Sequence, residues 1–463
     1  MSTNHSTLMK SRPAHRLCSL SLLLFVSSAT AQSGVLDLTT LADYAAQPVP
    51  AYILRDNTPT GPNPPANAIT NSGATLGRVL FYDKRLSVNS TISCASCHQQ
   101  SRAFGDTAQA SSGVAGTTGR HSMRLINSRF SAERRFFWDE RATSLENQTT
   151  RPIQDHVEMG FSGTEGDPAF ADLITRLSAI EEYRVLFALT FGDSAITEPR
   201  VQRSLAQFVR SIQSFDSKYD TGRAQVANNN DPFPNFTAQE NNGKQLFATP
   251  PNQGGAGCAG CHRPPEFDID PASLNNGSIG TFTVGVTDLT NTRSPSLRDL
   301  VGPGGQSNGA FMHDASRATL ADVIGHYIAP PANANIDPRL TRPPLNLSPQ
   351  QRGDIIAFLR TLTGSAVYTD PKWSSPFNAQ DQLTLIILPT TTGAGTQPNG
   401  DGTVTMTARG VSGLTYGVES STNLSGWSPV TNVTADAAGQ LSYIMTATAQ
   451  PTFYRFIYTP PAS

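Results

Sequence analysis

Two copies of the pattern Cys-x-x-Cys-His carry the chemistry that can be read most directly from this chain. The first motif is Cys94–His98 and the second is Cys258–His262. In this pattern the two thiols add across the vinyl groups of a haem, and the adjacent histidine becomes a ligand of the iron. Four cysteines (Cys94, Cys97, Cys258 and Cys261) are therefore predicted to attach two haem c groups, with His98 and His262 on the irons.

Other uses of these cysteines stay open at this point. A Cys-x-x-Cys pair can supply half of a structural zinc site, a redox dithiol or a disulfide. Zinc would require the two motifs to converge, and a redox pair does not need the histidine that follows. The second motif also lies among small residues, Gly257, Ala259 and Gly260, which let a flat macrocycle approach the backbone. Haem attachment is the favoured interpretation.

Composition excludes one class of partner and bounds the size. The chain has 463 residues, which predicts two to four domains. Its net charge is −2, only 15% of its residues are charged, and no basic run is present. Nucleic acid is therefore not an expected partner.

The N-terminus reads as an export signal. Three basic residues precede an apolar run, Leu17–Val26, and Ala29-Thr30-Ala31 offers small residues for cleavage. The run is too short to span a bilayer, and no later stretch approaches a span. We expect residues 1–31, with the fifth cysteine Cys18, to be a signal peptide. The mature protein is then periplasmic and not membrane-spanning.

The chain repeats itself around the two motifs. Leu76–Phe81 (LGRVLF) precedes the first motif much as Asn242–Phe247 (NGKQLF) precedes the second. Further on, Phe137–Leu145 (FWDERATSL) is echoed by Met312–Leu320 (MHDASRATL). Such self-similarity predicts two related helical domains of cytochrome c type. We place them at 32–225 and 226–370, with the polar segment 221–236 as a linker between them.

Local signals place elements in the second half and beyond it. A capping box at Thr237–Glu240 predicts the start of a helix, and helical spacing covers 349–362 before Gly364. After Ser375 the pattern becomes that of strands. These are expected at 383–388, 403–408, 416–419, 442–446 and 453–458, as a β-sandwich over 375–463 without cysteine or histidine. The predicted fold is mainly α, with two tandem haem domains followed by this small all-β domain, whose role is packing or interaction.

Comparing the halves makes the two haems unequal. Seven residues after Leu145 lies Pro152, and seven after Leu320 lies Tyr327. An iron must keep one position open to react with peroxide, and a proline cannot ligate it, whereas a phenolate can. The first haem is therefore predicted to be open and reactive, and the second closed and electron-storing. His326, next to the tyrosine, is the alternative ligand.

Groups that an open site would use lie near Pro152. Gln148 can hydrogen-bond a peroxide, and Glu158 can move its proton. Trp138 lies between the motifs in sequence and suits an electron relay. The alternatives are a solvated Gln and Glu, and an ordinary core aromatic residue.

Three segments resemble the bacterial di-haem cytochrome c peroxidase and MauG family. They are LGRVLFYDKRL at 76–86, ISCASCH at 92–98, and FWDERATSLENQTTRPIQDHVEMG at 137–160, and the resemblance covers roughly residues 70 to 365. It implies that Gln148, Pro152 and Glu158 line the peroxide pocket and that Trp138 lies between the haems. Family members with a tyrosine on the second iron are MauG-like, and those with a methionine are peroxidases, so Tyr327 resembles the former.

The resemblance also raises the question of calcium. The family holds this ion between the haems with an asparagine side chain and two backbone carbonyls, which match His121, Asn308 and Ala310 here. Imidazole is a poor ligand for a hard cation, so calcium stays open, held if at all by carbonyls and water. His121 is then an inhibitory ligand over the first haem or a structural residue. His156 and His313 are predicted to be hydrogen-bonded supporting groups rather than ligands.

Three functions fit these residues. The first is a peroxidase that reduces hydrogen peroxide to water, with electrons from a small periplasmic donor of cytochrome c or cupredoxin type. The second is a MauG-like oxidase that uses peroxide to oxidise a partner protein or an organic substrate. The third is a non-catalytic di-haem electron carrier. A homodimer is compatible with each of them.

Overall fold

The computed structural model describes residues 34–56, 67–341, 345–387, 395–446 and 452–458. The expected signal peptide with Cys18, and the end of the strand expected at 383–388, lie outside these residues. None of the described helices is long and apolar enough to cross a membrane.

The first helical half is organised around two packed helices that lie far apart in sequence. Its helices are α1 (Asn71–Tyr82), α2 (Cys94–Cys97), α3 (Leu145–Thr149), α4 (Phe170–Ser178), α5 (Glu181–Phe191), α6 (Glu198–Ser211) and α7 (Lys218–Arg223). The α1 helix begins at Thr70, whose side chain accepts a hydrogen bond from the backbone N–H of Gly73. A Cβ at Gly77 would lie 1.9 Å from the carbonyl oxygen of Ser204 on α6. The missing side chain therefore lets α1 and α6 touch.

The second helical half repeats this packing. Its helices are α8 (Ala238–Ala248), α9 (Leu320–Ile328), α10 (Pro349–Arg360) and α11 (Ala366–Thr369). The capping box predicted at Thr237 opens α8, and α10 lies where helical spacing predicted it. A Cβ at Gly243 of α8 would lie 1.9 Å from the carbonyl oxygen of Asp354 on α10. Glycines at matching sites thus join matching helix pairs, as the internal repeat predicts.

The repeat also extends to the loops between these helices. In the first half the N–H of Phe136 donates to the carbonyl of Ala142, and in the second the N–H of Phe311 donates to that of Arg317. The residue that follows each phenylalanine has a φ of +68°. Positive φ is costly for a residue with a side chain, so its recurrence marks a shared loop conformation.

The segment predicted as a linker, 221–236, is anchored more firmly than its polar composition indicated. Phe233 is 1% exposed and packs on Tyr219 of α7, with ring centroids 5.2 Å apart. Lys244 Nζ donates to the carbonyl oxygens of Asn229, at 2.6 Å, and Asp231, at 2.8 Å. The segment joins the two halves and is at the same time part of the core of the second.

The C-terminal domain is built of two small antiparallel sheets. Strands β1 to β4 precede these sheets in the chain, at Val35–Asp37, His262–Arg263, Asp268–Ile269 and Thr384–Ile386. The sheets contain strands β5 to β10, at Gly395–Pro398, Thr403–Arg409, Thr415–Ser421, Ser428–Thr434, Gln440–Thr446 and Phe453–Ile457. Their strand orders are β10-β7-β8 and β5-β6-β9. The sequence missed β5 and β8, because both are almost wholly exposed and polar.

This β domain is joined to the first helical half. Strand β1 pairs in parallel with β4, and its register starts at Val35 opposite Thr384. Buried Tyr416 and Leu441 of the sheets belong to the same apolar cluster as Trp373 and the core of α1, α5 and α6. The β domain and the first helical half therefore share one apolar core.

Candidate active site

The first motif is held by a short capped helix. Ser93 and Ser96 form a reciprocal capping box at the start of α2, which carries both thiols. His98 follows directly, and its Nδ1 lies 3.2 Å from the carbonyl oxygen of Phe104. Burial lowers the pKa of His98, which favours the neutral imidazole, and backbone hydrogen bonds to Phe104 and Met123 act in the opposite direction. A neutral, oriented imidazole is the form that ligates a metal.

The second motif opens into a large cavity. This cavity, of about 750 Å³, is lined by both cysteines, His262 and Tyr327, with largely apolar walls from α8, α9 and α10. His262 Nδ1 is buried and has no hydrogen-bond partner among the described residues. The β2–β3 hairpin fixes the motif, since the N–H of Asp270 donates to the carbonyl of Cys261 at 2.7 Å. The volume and the apolar walls fit a planar macrocycle attached to these thiols.

The two motifs do not converge on one metal site. Within the described residues, no three side chains of His, Cys, Asp or Glu come together to hold a metal ion. This geometry favours thioether attachment over a shared zinc site.

The structure separates the two candidate ligands on α9. Tyr327 lines the large cavity, and burial raises its pKa to about 12 while a hydrogen bond from Asn276 acts in the opposite direction. His326 is buried outside that lining. Its Nε2 lies 2.8 Å from the carbonyl oxygen of Asn276, and its Nδ1 lies 3.1 Å from a guanidinium nitrogen of Arg317. Because both nitrogens are engaged, the tyrosine is the better placed of the two.

Pro152 and Glu158 meet in a smaller, polar cavity of about 380 Å³. Burial raises the pKa of Glu158 to about 7; the charge of Asp155 adds to this effect and that of Arg141 opposes it. The charge of Glu158 in turn raises the pKa of both thiols of the first motif, which places it close to that motif. A carboxyl group with a pKa near neutrality can both accept and return a proton.

Gln148 lies on α3, outside the described lining of the polar cavity. Its side-chain amide makes no hydrogen bond to a described residue, so it is free to bind a ligand. The helix itself is fixed by a buried ion pair. Glu146 contacts Arg210 at 2.5 and 2.9 Å and accepts from Asn67 at 2.8 Å. Burial acts to raise the pKa of Glu146, but Arg210 and Asn67 outweigh it and hold the pKa below its usual value.

Trp138 and His313 occupy matching positions in the two repeats, and they meet. Their ring centroids lie 6.1 Å apart. Trp138 Nε1 donates to the carbonyl of His121 at 2.6 Å, and the N–H of His121 donates to the carbonyl of His313 at 2.7 Å. Trp138 also lines the large cavity. The tryptophan therefore lies where the two helical halves join, beside the second motif.

The side chains of His121 and Asn308, two of the residues considered for calcium, have protein partners. His121 is buried, and its Nδ1 lies 2.9 and 3.1 Å from the carbonyl oxygens of Ala108 and Gln109. The side-chain amide of Asn308 donates to the carbonyl of Asp299 and to the hydroxyl of Tyr368, both at 2.8 Å. The remaining residue, Ala310, lines the large cavity. His156, by contrast, pairs with Asp167 at 2.9 Å on the surface.

Comparison with known proteins identifies the family. Residues 71–227 match the family model described as di-haem cytochrome c peroxidase, and residues 240–363 match that of cytochrome c. The methylamine utilization protein MauG of Methylophilus methylotrophus is 32% identical over 318 residues, which cover 66% of this chain and 87% of that protein. The chain belongs to the di-haem cytochrome c peroxidase and MauG family. Its expected fold class is thereby confirmed.

Members with both names are found among the relatives. The cytochrome-c peroxidase IdrP1 of Denitromonas iodatirespirans is 27% identical over 68% of this chain and 89% of that protein. The crystal structure of a MauG-like protein associated with microbial copper homeostasis superposes with a TM-score of 0.58 at 28% identity, covering 72% of this chain and 99% of the other. The family implies haem c cofactors and an oxidoreductase, and its name alone does not choose between peroxidase and MauG.

Some site residues were invisible to sequence reasoning. Arg141 and Asp155, which tune Glu158, both lie within the segment 137–160, but nothing in their spacing distinguishes them from other charged residues there. Asn276, which contacts Tyr327, lies in a loop without any pattern. Only the three-dimensional arrangement reveals these residues.

Proposed function

We propose that this protein is a periplasmic enzyme that reduces hydrogen peroxide to water at the first motif. Haem c, bound through Cys94, Cys97 and His98, would supply an iron that binds peroxide and accepts electrons. The observation that carries the proposal is Glu158, a carboxyl group with a pKa of about 7 beside that motif. Pro152, which cannot ligate, shares its cavity.

In this proposal Glu158 transfers the proton and Gln148 holds the peroxide. Ionised Glu158 accepts a proton from one oxygen of peroxide and returns it to the other, so that this oxygen leaves as water. Gln148, with its free amide, hydrogen-bonds the bound peroxide. The balance, one peroxide plus two electrons and two protons giving two waters, requires a reductant. We assign that role to a small cytochrome c or cupredoxin that delivers electrons through the second motif and Trp138.

Purified protein mixed with reduced cytochrome c and peroxide tests this proposal. Peroxide-dependent oxidation of the cytochrome, with a requirement for Glu158, is the expected result. Two haems that are both six-coordinate and inert to peroxide and cyanide would instead identify an electron carrier.

A second candidate function is favoured by Tyr327. A phenolate on the second iron stabilises its ferric form, which suits a protein that removes electrons from a partner protein or an organic substrate. Its position in the wall of the large cavity supports that role. The two candidates differ in one measurement. If peroxide added to the fully oxidised protein produces a long-lived spectral change without prior reduction, the MauG-like function holds, and a strict need for pre-reduction favours the peroxidase.

A further inference from the structure

One half-buried cation in the wall of the large cavity lacks a balancing charge among the described residues. The described lining contains two arginines, Arg124 and Arg339. Arg339 is bonded to Asp337 at 2.6 Å and to Asp270 at 3.0 Å. Arg124 has no carboxylate oxygen of a described residue within 4 Å, and its guanidinium donates only to the carbonyl of Ser296, at 3.2 Å. Its Nε is buried and has no hydrogen-bond partner among the described residues.

Asp299, a carboxyl group that acts electrostatically on Arg124, forms no ion pair with it. Asp299 acts on Arg124 only at a distance, and its own Oδ1 accepts from the N–H of Gly364 and the hydroxyl of Tyr368. Burial raises the pKa of Asp299, and hydrogen bonds from Gly364 and Tyr368 act in the opposite direction. Burial also lowers the pKa of Arg124 to about 10, the effect expected of a guanidinium that lacks an anion. An unpaired charge whose Nε is removed from water is costly, so the arrangement calls for a negative ligand.

Arg124 lies where the two sites adjoin. The carbonyl of the preceding residue, Met123, accepts a hydrogen bond from His98 of the first motif. The Arg124 side chain passes close to Gly105, where a Cβ would lie 3.0 Å from its Cγ. Gly105 thus leaves room for a guanidinium that reaches from the first motif to the wall of the second cavity.

We propose that Arg124 binds a propionate carboxylate of the haem attached at Cys258 and Cys261. A haem carries two such carboxylates, and the guanidinium fork matches a carboxylate with two parallel hydrogen bonds. The pairing would satisfy the buried Nε and would hold a positive charge beside the second iron. The inference rests on haem occupying the large cavity, which is part of the proposed function.

The charge predicts a redox effect. A cation near the haem stabilises the reduced iron, because reduction adds a negative charge to the site. Removing it in Arg124→Leu lowers the reduction potential of the second haem and leaves that of the first nearly unchanged. Arg124→Lys keeps the charge but not the fork, so it retains most of the potential and shifts the propionate bending band in resonance Raman spectra. Arg339→Gln, in the same wall, leaves that band in place.

The test is a redox titration of the holoprotein, followed optically and by electron paramagnetic resonance. An unchanged second-haem potential in Arg124→Leu, or a shift of the first haem instead, overturns the assignment. If the leucine variant does not accumulate as folded protein, an unchanged Raman band in Arg124→Lys overturns it equally. Haem content distinguishes a failure of the Arg124 assignment from a failure of the proposed function. Wild-type protein with a single haem defeats both proposals, whereas two haems with an unaffected second one defeat only the role of Arg124.

Discussion

Replacing Glu158 with glutamine is the most direct perturbation of the candidate site. The substitution keeps the shape of the side chain and removes its ability to take up and release a proton. Acid–base groups of this kind contribute about 10²- to 10⁴-fold to a rate, or about 2.7–5.5 kcal/mol of barrier. We therefore expect kcat/KM for peroxide to fall about 100- to 10,000-fold in Glu158→Gln, measured with reduced cytochrome c in excess.

The pH profile gives a second readout of the same group. Because burial raises the pKa of Glu158 to about 7, the carboxyl is protonated below neutrality and ionised above it. The ionised form is the one that accepts the peroxide proton. In the wild type, kcat/KM should therefore rise through about pH 7 and level off, and in Glu158→Gln this limb should disappear.

Glu165→Gln is the matched control. Glu165 has a side chain that is 67% exposed and pairs with His156 at the surface, so the same chemical change should leave both rate and profile intact. Two results would refute the reasoning about Glu158. One is activity of Glu158→Gln within about threefold of the control, and the other is an unchanged pH limb.

Three further predictions concern the ligand, the buried ion pair and the helix contacts. Tyr327→Phe should change the resting electron paramagnetic resonance spectrum of the second haem, whereas His326→Gln should not; the reverse result assigns the ligand to the histidine. Arg210→Met leaves a buried carboxylate uncompensated and should cost about 3–5 kcal/mol in urea denaturation, against less than about 1 kcal/mol for Arg200→Met, which breaks a more exposed pair. Gly243→Ala drives a methyl group into a backbone carbonyl of α10 and should lower stability by about 1–3 kcal/mol; an unchanged denaturation midpoint would show that α8 and α10 can separate.

Sequence reasoning succeeded where a signal is local. The capping box at Thr237, the helical spacing of α10 and most strands of the β domain each depend on a few neighbouring residues. The comparison of halves also worked, because the glycines Gly77 and Gly243 must be small for the same steric reason.

It failed where the decisive partner is distant in the chain. Phe233 lies in a run of polar residues, and its burial depends on α7 and α8. Strand β8 is exposed and polar, and it forms a strand because it pairs with β7 in the antiparallel sheet. Arg124 is unpaired because of where the fold places the carboxylates of other segments. A pattern of neighbouring residues predicts none of these three features.

The pairing of β1 with β4 has a consequence for how the protein is made. Its partners, such as Val35 and Thr384, are separated by about 350 residues, so this ladder can close only after both Cys-x-x-Cys-His motifs have been synthesised. Until then the core shared by the β domain and the first helical half is incomplete. The sequence that carries Cys94, Cys97, Cys258 and Cys261 is therefore complete before this parallel pair can form, and the pair joins the start of the described chain to the β domain.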